Sequence, residues 1–303
     1  MKTQLNKAIP FVLTLALLPA ITGTSRADTL FVNDSFHGKI EQFNTTSGAD
    51  LGAFASFGSG LFDPVGLAFD NAGNLYVANQ GNNTVEKFNS LGVGTVFASS
   101  GLNQPFALAC DGVGDLFVAN QGNNSIEKYN SSGVGTLFAG VNSPQGLACD
   151  SAGNLFASQA NGIIEKFSPS GAHQVFASGV VNPAGLAFDS AGNLYVASQF
   201  GANGTIEKFS PSGSSSLFAS GLDGPFHLAF DSAGNLFVTE ESNGTIEEIN
   251  PSGTGTVFAS GLDVPLGLAI QAAPEPSTWV LLSGGLAAIA WRGAMLQRKN
   301  ART

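Results

Sequence analysis

The sequence predicts an all-β protein: a six-bladed β-propeller of four-stranded antiparallel blades, closed by pairing the C-terminal strand with the N-terminal partial blade. Three observations predict this fold: a proline that recurs about every 40 residues, four short apolar segments in each repeat, and abundant turn residues. Glycine accounts for 39 of 303 residues and charged residues for 11%, against a usual charged share of about 25%. This composition favours short strands joined by turns over charged helices or a long disordered chain.

The repeat is defined by its prolines, which lie 39 to 42 residues apart at Pro64, Pro105, Pro144, Pro183, Pro225 and Pro265. In the unit that begins at Pro64, residues 66–70, 75–79, 84–88 and 95–98 are short apolar segments separated by Gly- and Asn-rich turns. Four strands in a 40-residue repeat are typical of a propeller blade. The apolar period of 3.6 that helical repeats require does not occur.

The two ends of the repeat region complete one another. Residues 30–33, 39–43 and 53–55 match the second, third and fourth strands, whereas a first strand is missing at the N-terminal end. That strand reappears at the C-terminal end as Pro265 to Ile270. The two partial units therefore add up to one blade, giving six blades over residues 28–272 and a closed ring without the exposed edge of an open stack.

Residues 1–27 have the pattern of a secretory signal peptide. Lys2 and Lys7 form a basic start, residues 8–18 are apolar, and Ser25 and Ala27 supply the small residues of a cleavage site. The apolar run is too short to cross about 30 Å of hydrocarbon. Export is the favoured interpretation, and a buried N-terminal helix is the alternative.

Residues 273–303 have a tripartite pattern: the motif Pro274, Glu275 and Pro276, an apolar segment over residues 279–291, and a basic end. This pattern resembles the PEP-CTERM sorting signal of Gram-negative bacteria that make extracellular polysaccharide. The resemblance implies processing by an exosortase-type protease near the Pro-Glu-Pro motif. It also implies a protein exported through the inner membrane, transiently anchored by its C-terminal segment, and placed at the cell surface or outside the cell. A plain single-pass anchor is the alternative.

The blades themselves resemble the NHL repeat in three segments: Pro-x-Gly-Leu-Ala-Phe-Asp, Ala-Gly-Asn-Leu-Tyr-Val-Ala and Ile-Glu-Lys-Phe. They are also similar to the wider group of six-bladed propellers that includes streptogramin lyases and gluconolactonases. NHL propellers often carry an arginine in the third strand, where this chain has pairs such as Glu86-Lys87. The resemblance therefore implies the fold and leaves the ligand open.

Charge excludes one class of partner. Residues 28–272 contain five lysines, no arginine and 21 acidic residues, a formal net charge of −16. Nucleic-acid binding needs clustered basic residues that displace counterions from phosphates, so we do not expect it. The three histidines, His37, His173 and His227, lie in different blades without the spacing of a zinc site, and no Gly-x-Ser-x-Gly motif is present.

One blade carries candidate catalytic residues: His227, Glu240 and Glu241. A symmetric four-residue loop over residues 232–235 pairs Asp231 with Leu236, and therefore His227 with Glu240 on neighbouring strands. A histidine beside a carboxylate has the chemistry of a general base and its orienting group. The resemblance to streptogramin lyases implies a His and a Glu on such strands with a bound divalent metal. The alternative is a local ion pair at one mouth of the central channel.

At the place of Glu240 the other blades carry amide and hydroxyl side chains, predicted to ring the channel mouth: Asn33, Asn79, Asn120, Gln159 and Ser198. Such groups both donate and accept hydrogen bonds, which suits hydroxyl-rich ligands such as sugars. The second interpretation is that asparagine here only initiates the turn that follows. We weigh three functions: a cofactor-free binding module for extracellular polysaccharide or a surface protein, a metal-assisted lyase or lactonase, and a structural matrix component.

Two repeated positions favour structural roles. The acids six residues after the repeat prolines, such as Asp70, offer one carboxylate per loop, so we expect them to cap turns rather than to bind calcium. Cys110 and Cys149 occupy equivalent positions in neighbouring blades. Adjacent blades are expected to hold their Cα atoms beyond the ~4.4–6.8 Å that a disulfide tolerates, so two buried thiols are predicted.

Overall fold

The computed structural model describes residues 27–199 and 201–273, which form one compact unit, Ala27–Ala273. The predicted signal peptide, apart from its last residue, and the predicted sorting motif of Pro274, Glu275 and Pro276 lie outside the described residues. The described residues form 24 strands in six four-stranded antiparallel sheets, which confirms the predicted six-bladed propeller. No helix in these two ranges has the length and hydropathy that crossing a membrane requires.

Each blade has four strands, which follow chain order from the innermost to the outermost in blades 2 to 6, whereas β24 is the innermost strand of blade 1. Blade 1 joins the last strand to the first three: β1 (Thr29–Asp34), β2 (Lys39–Asn44), β3 (Asp50–Ala55) and β24 (Pro265–Gln271). Blade 2 comprises β4 (Pro64–Phe69), β5 (Leu75–Asn79), β6 (Thr84–Phe88) and β7 (Gly94–Ala98). Blade 3 comprises β8 (Pro105–Cys110), β9 (Leu116–Asn120), β10 (Ser125–Tyr129) and β11 (Gly135–Gly140).

The remaining three blades repeat this order. Blade 4 comprises β12 (Pro144–Cys149), β13 (Leu155–Gln159), β14 (Ile163–Phe167) and β15 (His173–Ser178). Blade 5 comprises β16 (Pro183–Phe188), β17 (Leu194–Ser198), β18 (Gly204–Phe209) and β19 (Ser215–Leu222). Blade 6 comprises β20 (Pro225–Phe230), β21 (Leu236–Glu240), β22 (Thr245–Ile249) and β23 (Gly255–Ser260).

The ring closes within blade 1. β24 pairs antiparallel with β1, with Leu30 opposite Ile270 and Asp34 opposite Pro265. The innermost strands β4, β8, β12, β16, β20 and β24 each contact the next one, and β24 contacts β4. The predicted closure by the C-terminal strand is therefore confirmed.

Aromatic contacts between blades explain the many phenylalanines. In every blade a bulge between the third and fourth strands turns an outer-strand phenylalanine into the interface. There it packs edge-to-face on the aromatic residue of the second strand of its own blade, with ring centroids 4.8–5.1 Å apart. At the closing interface, Phe258 of blade 6 lies 6.1 Å from Phe43 of blade 1. The closing blade thus uses the same interblade contact as its neighbours.

The propeller has two different faces. The upper face carries the loops between the second and third strands and the connections between blades; the lower face carries the other hairpin loops. On the lower face, the Asp70 carboxylate accepts hydrogen bonds from the N–H groups of Ala72 (3.0 Å) and Asn74 (2.8 Å). The Lys87 ammonium lies 5.0 Å from the Tyr76 ring and 3.5 Å from Asp70. The predicted turn-capping role of these acids is confirmed.

The two ends of the unit are tied together on the lower face. Asp28 is buried, and its carboxylate accepts hydrogen bonds from the N–H groups of Ala273 (2.9 Å) and Ser232 (2.6 Å). One side chain therefore joins the start of blade 1, the second residue after β24 and the neighbouring loop of blade 6. We call this contact the Asp28 junction.

Candidate functional site

The central channel is closed near the upper face by apolar side chains. They come from the residue that follows the repeat proline, in the innermost strands. Phe106 and Phe226 belong to opposite blades, yet their ring centroids are only 5.6 Å apart. Val65 and Ala184 are buried in the same cluster, and Leu266 packs against it. We call these five residues the axial plug, and it forms the floor of the upper mouth.

The next residue along each innermost strand lies against the backbone of the neighbouring blade. A Cβ at Gly185 would meet the carbonyl oxygen of Phe226 at less than contact distance, and Gly66, Gly146 and Gly267 face the same obstacle. In these four blades glycine is therefore required by the close approach of adjacent innermost strands. Blade 6 has His227 at this position and blade 3 has Ala107.

His227 is held by the backbone of its neighbour. Its N–H donates to Thr239 Oγ1 (3.0 Å), and its ring Nδ1 donates to the carbonyl oxygen of Leu266 (3.0 Å). The Thr239 hydroxyl donates to the same carbonyl at 2.9 Å. Burial lowers the pKa of His227 to about 4, and the hydrogen bond to Leu266 opposes this shift only in part. The imidazole is therefore neutral at physiological pH.

The predicted pairing of His227 with Glu240 is wrong. Phe230 lies opposite Leu236, so Asp231 belongs to a five-residue loop and does not begin the pairing. A bulge then brings Pro225 opposite Glu240. The physical reason is local, because the Asp231 carboxylate accepts two loop N–H groups and so draws that residue into the turn.

The Glu240 carboxylate is occupied by other partners. It is buried, and it accepts hydrogen bonds from Asp223 N–H (2.8 Å), the Thr245 hydroxyl (2.6 Å) and Asn243 Nδ2 (2.9 Å). Glu240 therefore ties the connection from blade 5 to the loop that follows β21. Glu241 is half-buried, with Gln199 Nε2 at 3.4 Å from one carboxylate oxygen. The structure does not bring the three candidate residues together into one site.

The predicted amide ring is buried, and its asparagines hydrogen-bond to the backbone. Asn79 donates to the Gly60 carbonyl (2.8 Å) and accepts from Phe62 N–H (3.1 Å), and Asn120 does the same one blade further on. Gln159 donates to Glu165 at 2.9 Å. Among the described residues, Ser198 Oγ is buried without a hydrogen-bond partner. The amide N–H groups of Asn79 and Asn120 are already used within the protein. Ligand contact by the side chains of this ring stays a prediction.

Asn33 lies one residue away from its predicted place. Asp34, not Asn33, is opposite the repeat proline Pro265. Asn33 instead bridges two blades: its Oδ1 accepts from the N–H groups of Leu266 (3.1 Å) and Gly267, and its Nδ2 donates to the carbonyls of Val65 (2.9 Å) and Pro64. The aromatic contact of Phe31 is equivalent to that of Tyr76, so matching the two asparagines misaligned the strands by one position.

Three glutamines at the upper ends of the second strands follow the predicted ring by one residue. Gln80, Gln121 and Gln199 are half-buried there. Gln121 Nε2 donates to Gln145 Oε1 at 3.0 Å, and Gln145 follows a repeat proline, at the level of the axial plug. The signal in the sequence is the glutamine that recurs directly after the second strand in three blades. We call these four glutamines the amide rim.

Two further features bear on chemistry. Cys110 and Cys149 are free thiols, as expected, and burial raises the pKa of each to about 12. Within residues 27–199 and 201–273, no three His, Cys, Asp or Glu side chains are grouped closely enough to hold a metal ion.

Comparisons with known proteins identify the C-terminal motif and the fold. Residues 272–298 match the family described as the PEP-CTERM protein-sorting motif, which indicates export with a C-terminal membrane-anchoring signal and surface association. A sequence comparison with curated proteins finds no match.

The chain is similar to several solved propeller structures. A chain of a nidogen/laminin complex is 22% identical with a TM-score of 0.71, covering 80% of this chain and 98% of that one. A gluconolactonase from Xanthomonas campestris is 19% identical (TM-score 0.60), covering 70% of this chain and 79% of that one. Virginiamycin B lyase from Staphylococcus aureus is 17% identical (TM-score 0.55), covering 70% and 75%. At these identities the similarity shows the fold alone.

Proposed function

We propose that this chain is an exported binding module that holds an uncharged polysaccharide at the upper mouth of the propeller. The observation that carries the proposal is the amide rim of Gln80, Gln121, Gln145 and Gln199 above the apolar floor of the axial plug. Amide groups hydrogen-bond sugar hydroxyls in both directions. Apolar and aromatic surfaces accept the C–H faces of sugar rings, as in other ligand sites that combine an apolar lining with a few polar groups.

Charge favours a neutral ligand over an acidic one. The propeller region has a formal net charge of −16. The lysines of blades 2 to 5 are paired with aspartates of the lower-face loops. A polyanion approaching the upper mouth therefore meets a repulsive field with little local compensation. The sorting motif supports a partner outside the cell, and an exosortase-type protease is proposed as the processing partner.

Affinity electrophoresis of the full-length protein tests this function. The gels contain dextran, galactomannan, mixed-linkage β-glucan or, as the acidic probe, alginate. We expect at least one neutral polymer to retard the protein, and we expect the double variant Gln121→Ala/Gln199→Ala to be retarded several-fold less. Gln174→Ala, which removes an exposed glutamine on the outer edge of blade 4, is the matched control. The proposal fails if no neutral polymer retards the protein, or if the double variant behaves like the control.

The second candidate is a metal-assisted lyase or lactonase, and the fold similarity to a lyase and a lactonase is the observation that favours it. The geometry supports it less well, because His227 and Glu240 are engaged by different partners. A histidine with a pKa of about 4 is also a weak general base at neutral pH. Calorimetric titration with Zn²⁺ or Mg²⁺ separates the two functions. Tight binding that His227→Ala abolishes would favour the enzyme.

A further inference from the structure

Three phenylalanine side chains are exposed at one corner of the upper face. Phe36, in the loop after β1, is 75% exposed, and Phe57 and Phe62, in the connection from β3 to β4, are 69% and 49% exposed. The outer-strand phenylalanines, in contrast, pack inside the interblade contacts. Exposed aromatic rings that are grouped together mark an interaction site more often than isolated apolar side chains do.

These rings form two pairs that are joined through Gly38 in the loop after β1. The Phe57 ring lies directly on Gly38, so closely that a Cβ at that position would clash with it. Phe57 and Phe62 have ring centroids 6.5 Å apart, and Phe36 lies 5.8 Å from the ring of His37. The N–H of Phe62 is held by Asn79 at 3.1 Å. We call Phe36, His37, Phe57 and Phe62 the aromatic corner.

A buried carboxylate orients the histidine of this corner. His37 Nδ1 lies 2.9 and 3.0 Å from the two carboxylate oxygens of Asp34, whose side chain is only 2% exposed. The His37 side chain is itself 53% exposed. Since Asp34 occupies Nδ1, the other ring nitrogen is left for a ligand. The corner therefore combines stacking surfaces with one directed hydrogen-bonding group, which scattered surface phenylalanines do not provide.

The size of the corner limits what it binds. A phenylalanine offers about 150–250 Å² of surface, so the three exposed fractions add up to about 400 Å². A standard protein interface takes about 800 Å² from each partner. The corner is about half that size, and its flanking residues include the small Ser35, Ser56 and Gly58. One or two sugar rings cover such an area, whereas a folded protein partner would leave much of its interface unsupported.

The charge of the propeller argues against a lipid partner. The formal charge of −16 in residues 28–272 opposes approach to an anionic bilayer.

We infer that the aromatic corner is a second carbohydrate subsite, which stacks one or two sugar rings of the neutral polysaccharide held at the upper mouth. The inference rests on the proposed function and extends it from one site to two on the same face. Each ring that stacks on a sugar is expected to strengthen retention about 2- to 13-fold, the factor that corresponds to the free energy of an aromatic pair contact in proteins. The His37 ring nitrogen adds a hydrogen bond to a hydroxyl group of the stacked sugar.

The same electrophoresis gels, with the full-length protein, test the subsite. Phe36→Ala/Phe57→Ala is expected to reduce retardation by the neutral polymer about 10-fold or more, and His37→Ala to reduce it less. Leu91→Ala is the matched control, because it shortens an apolar side chain that is 84% exposed on the lower face. The melting temperatures of Phe36→Ala/Phe57→Ala and Leu91→Ala are expected to stay near the wild-type value, since these side chains are exposed. His37→Ala is expected to melt lower, because it removes a partner of the buried Asp34 carboxylate.

The outcomes separate this inference from the proposed function. If Gln121→Ala/Gln199→Ala loses retention and Phe36→Ala/Phe57→Ala keeps it, the second subsite is overturned and the proposed function stands. Absence of retention of the wild type on dextran, galactomannan and β-glucan overturns both. Co-sedimentation of the wild type with phosphatidylcholine/phosphatidylglycerol (3:1) vesicles, lost in the double phenylalanine variant, would assign the corner to lipid and overturn the subsite.

Discussion

Removing the Asn33 side chain is expected to loosen the closure of the ring. Asn33 is fully buried and bonds four backbone groups of two blades: the N–H groups of Leu266 and Gly267 and the carbonyls of Pro64 and Val65. In Asn33→Ala all four lose this partner. A net hydrogen bond contributes about 1 kcal/mol, and a buried group left unsatisfied costs about 1–3 kcal/mol.

Four hydrogen bonds at about 1 kcal/mol each give a loss of about 4 kcal/mol, a large share of the roughly 5–15 kcal/mol that stabilises a domain. For a domain of this size, about 1 kcal/mol shifts the melting temperature by roughly 2–4 °C. We therefore expect Asn33→Ala to melt about 10 °C below the wild type. We also expect amide hydrogen exchange to speed up in β24 and β1 before it does so in blades 3 and 4.

Asn120→Ala is the matched control, because it removes a buried asparagine whose partners lie within blade 3 and its incoming loop. It should lower the melting temperature without changing exchange in β24. A chain that ends at Ser260 lacks β24 and gives the exchange rate of an open ring. An Asn33→Ala protein that melts within 2 °C of the wild type, with unchanged exchange in β24, would refute this reasoning.

Three further predictions concern His227, Val264 and the two cysteines. Because the pKa of His227 is about 4 in the fold and about 6.5 when unfolded, the unfolded chain binds the extra proton; stability therefore falls by about 3 kcal/mol as pH drops from 6.5 to 4. In His227→Ala the melting temperature should depend less on pH over that range. A pH dependence equal to that of the wild type would contradict the lowered pKa of His227. Val264 is a β-branched residue at φ +53°, a backbone conformation that strains its side chain. Val264→Gly should therefore raise the free energy of unfolding by about 1 kcal/mol, as measured by urea denaturation. A lower free energy of unfolding would show that the Val264 side chain contributes packing instead. With thiol pKa values of about 12, Cys110 and Cys149 should resist alkylation at pH 8 until guanidinium unfolds the protein, and rapid labelling of the folded chain would disprove their burial.

The sequence predicts the fold well because its signals are local and repeated. The proline period, the apolar segments and the partial units at both ends are sufficient to predict six blades and the strand that closes them. The site is less predictable because it depends on backbone irregularities. The bulge after Pro225 and the loop position of Asp231 move His227 away from Glu240. No residue type in the sequence predicts the bulge or the longer loop. Asn33 is misassigned because identity to Asn79 outweighs the better guide, the aromatic match of Phe31 with Tyr76.

The Asp28 junction also allows the chain to be circularly permuted. Since Asp28 and Ala273 are within one hydrogen bond of each other, a linker of a few glycines can join them. New termini can then be opened at the exposed turn of Asn123 and Asn124 on the upper face. In such a circular permutant the seam moves to blade 3, and attached cargo leaves from the opposite side of the disc. The ring therefore has no intrinsic first blade, and only the order of the coding sequence decides on which face its two ends lie.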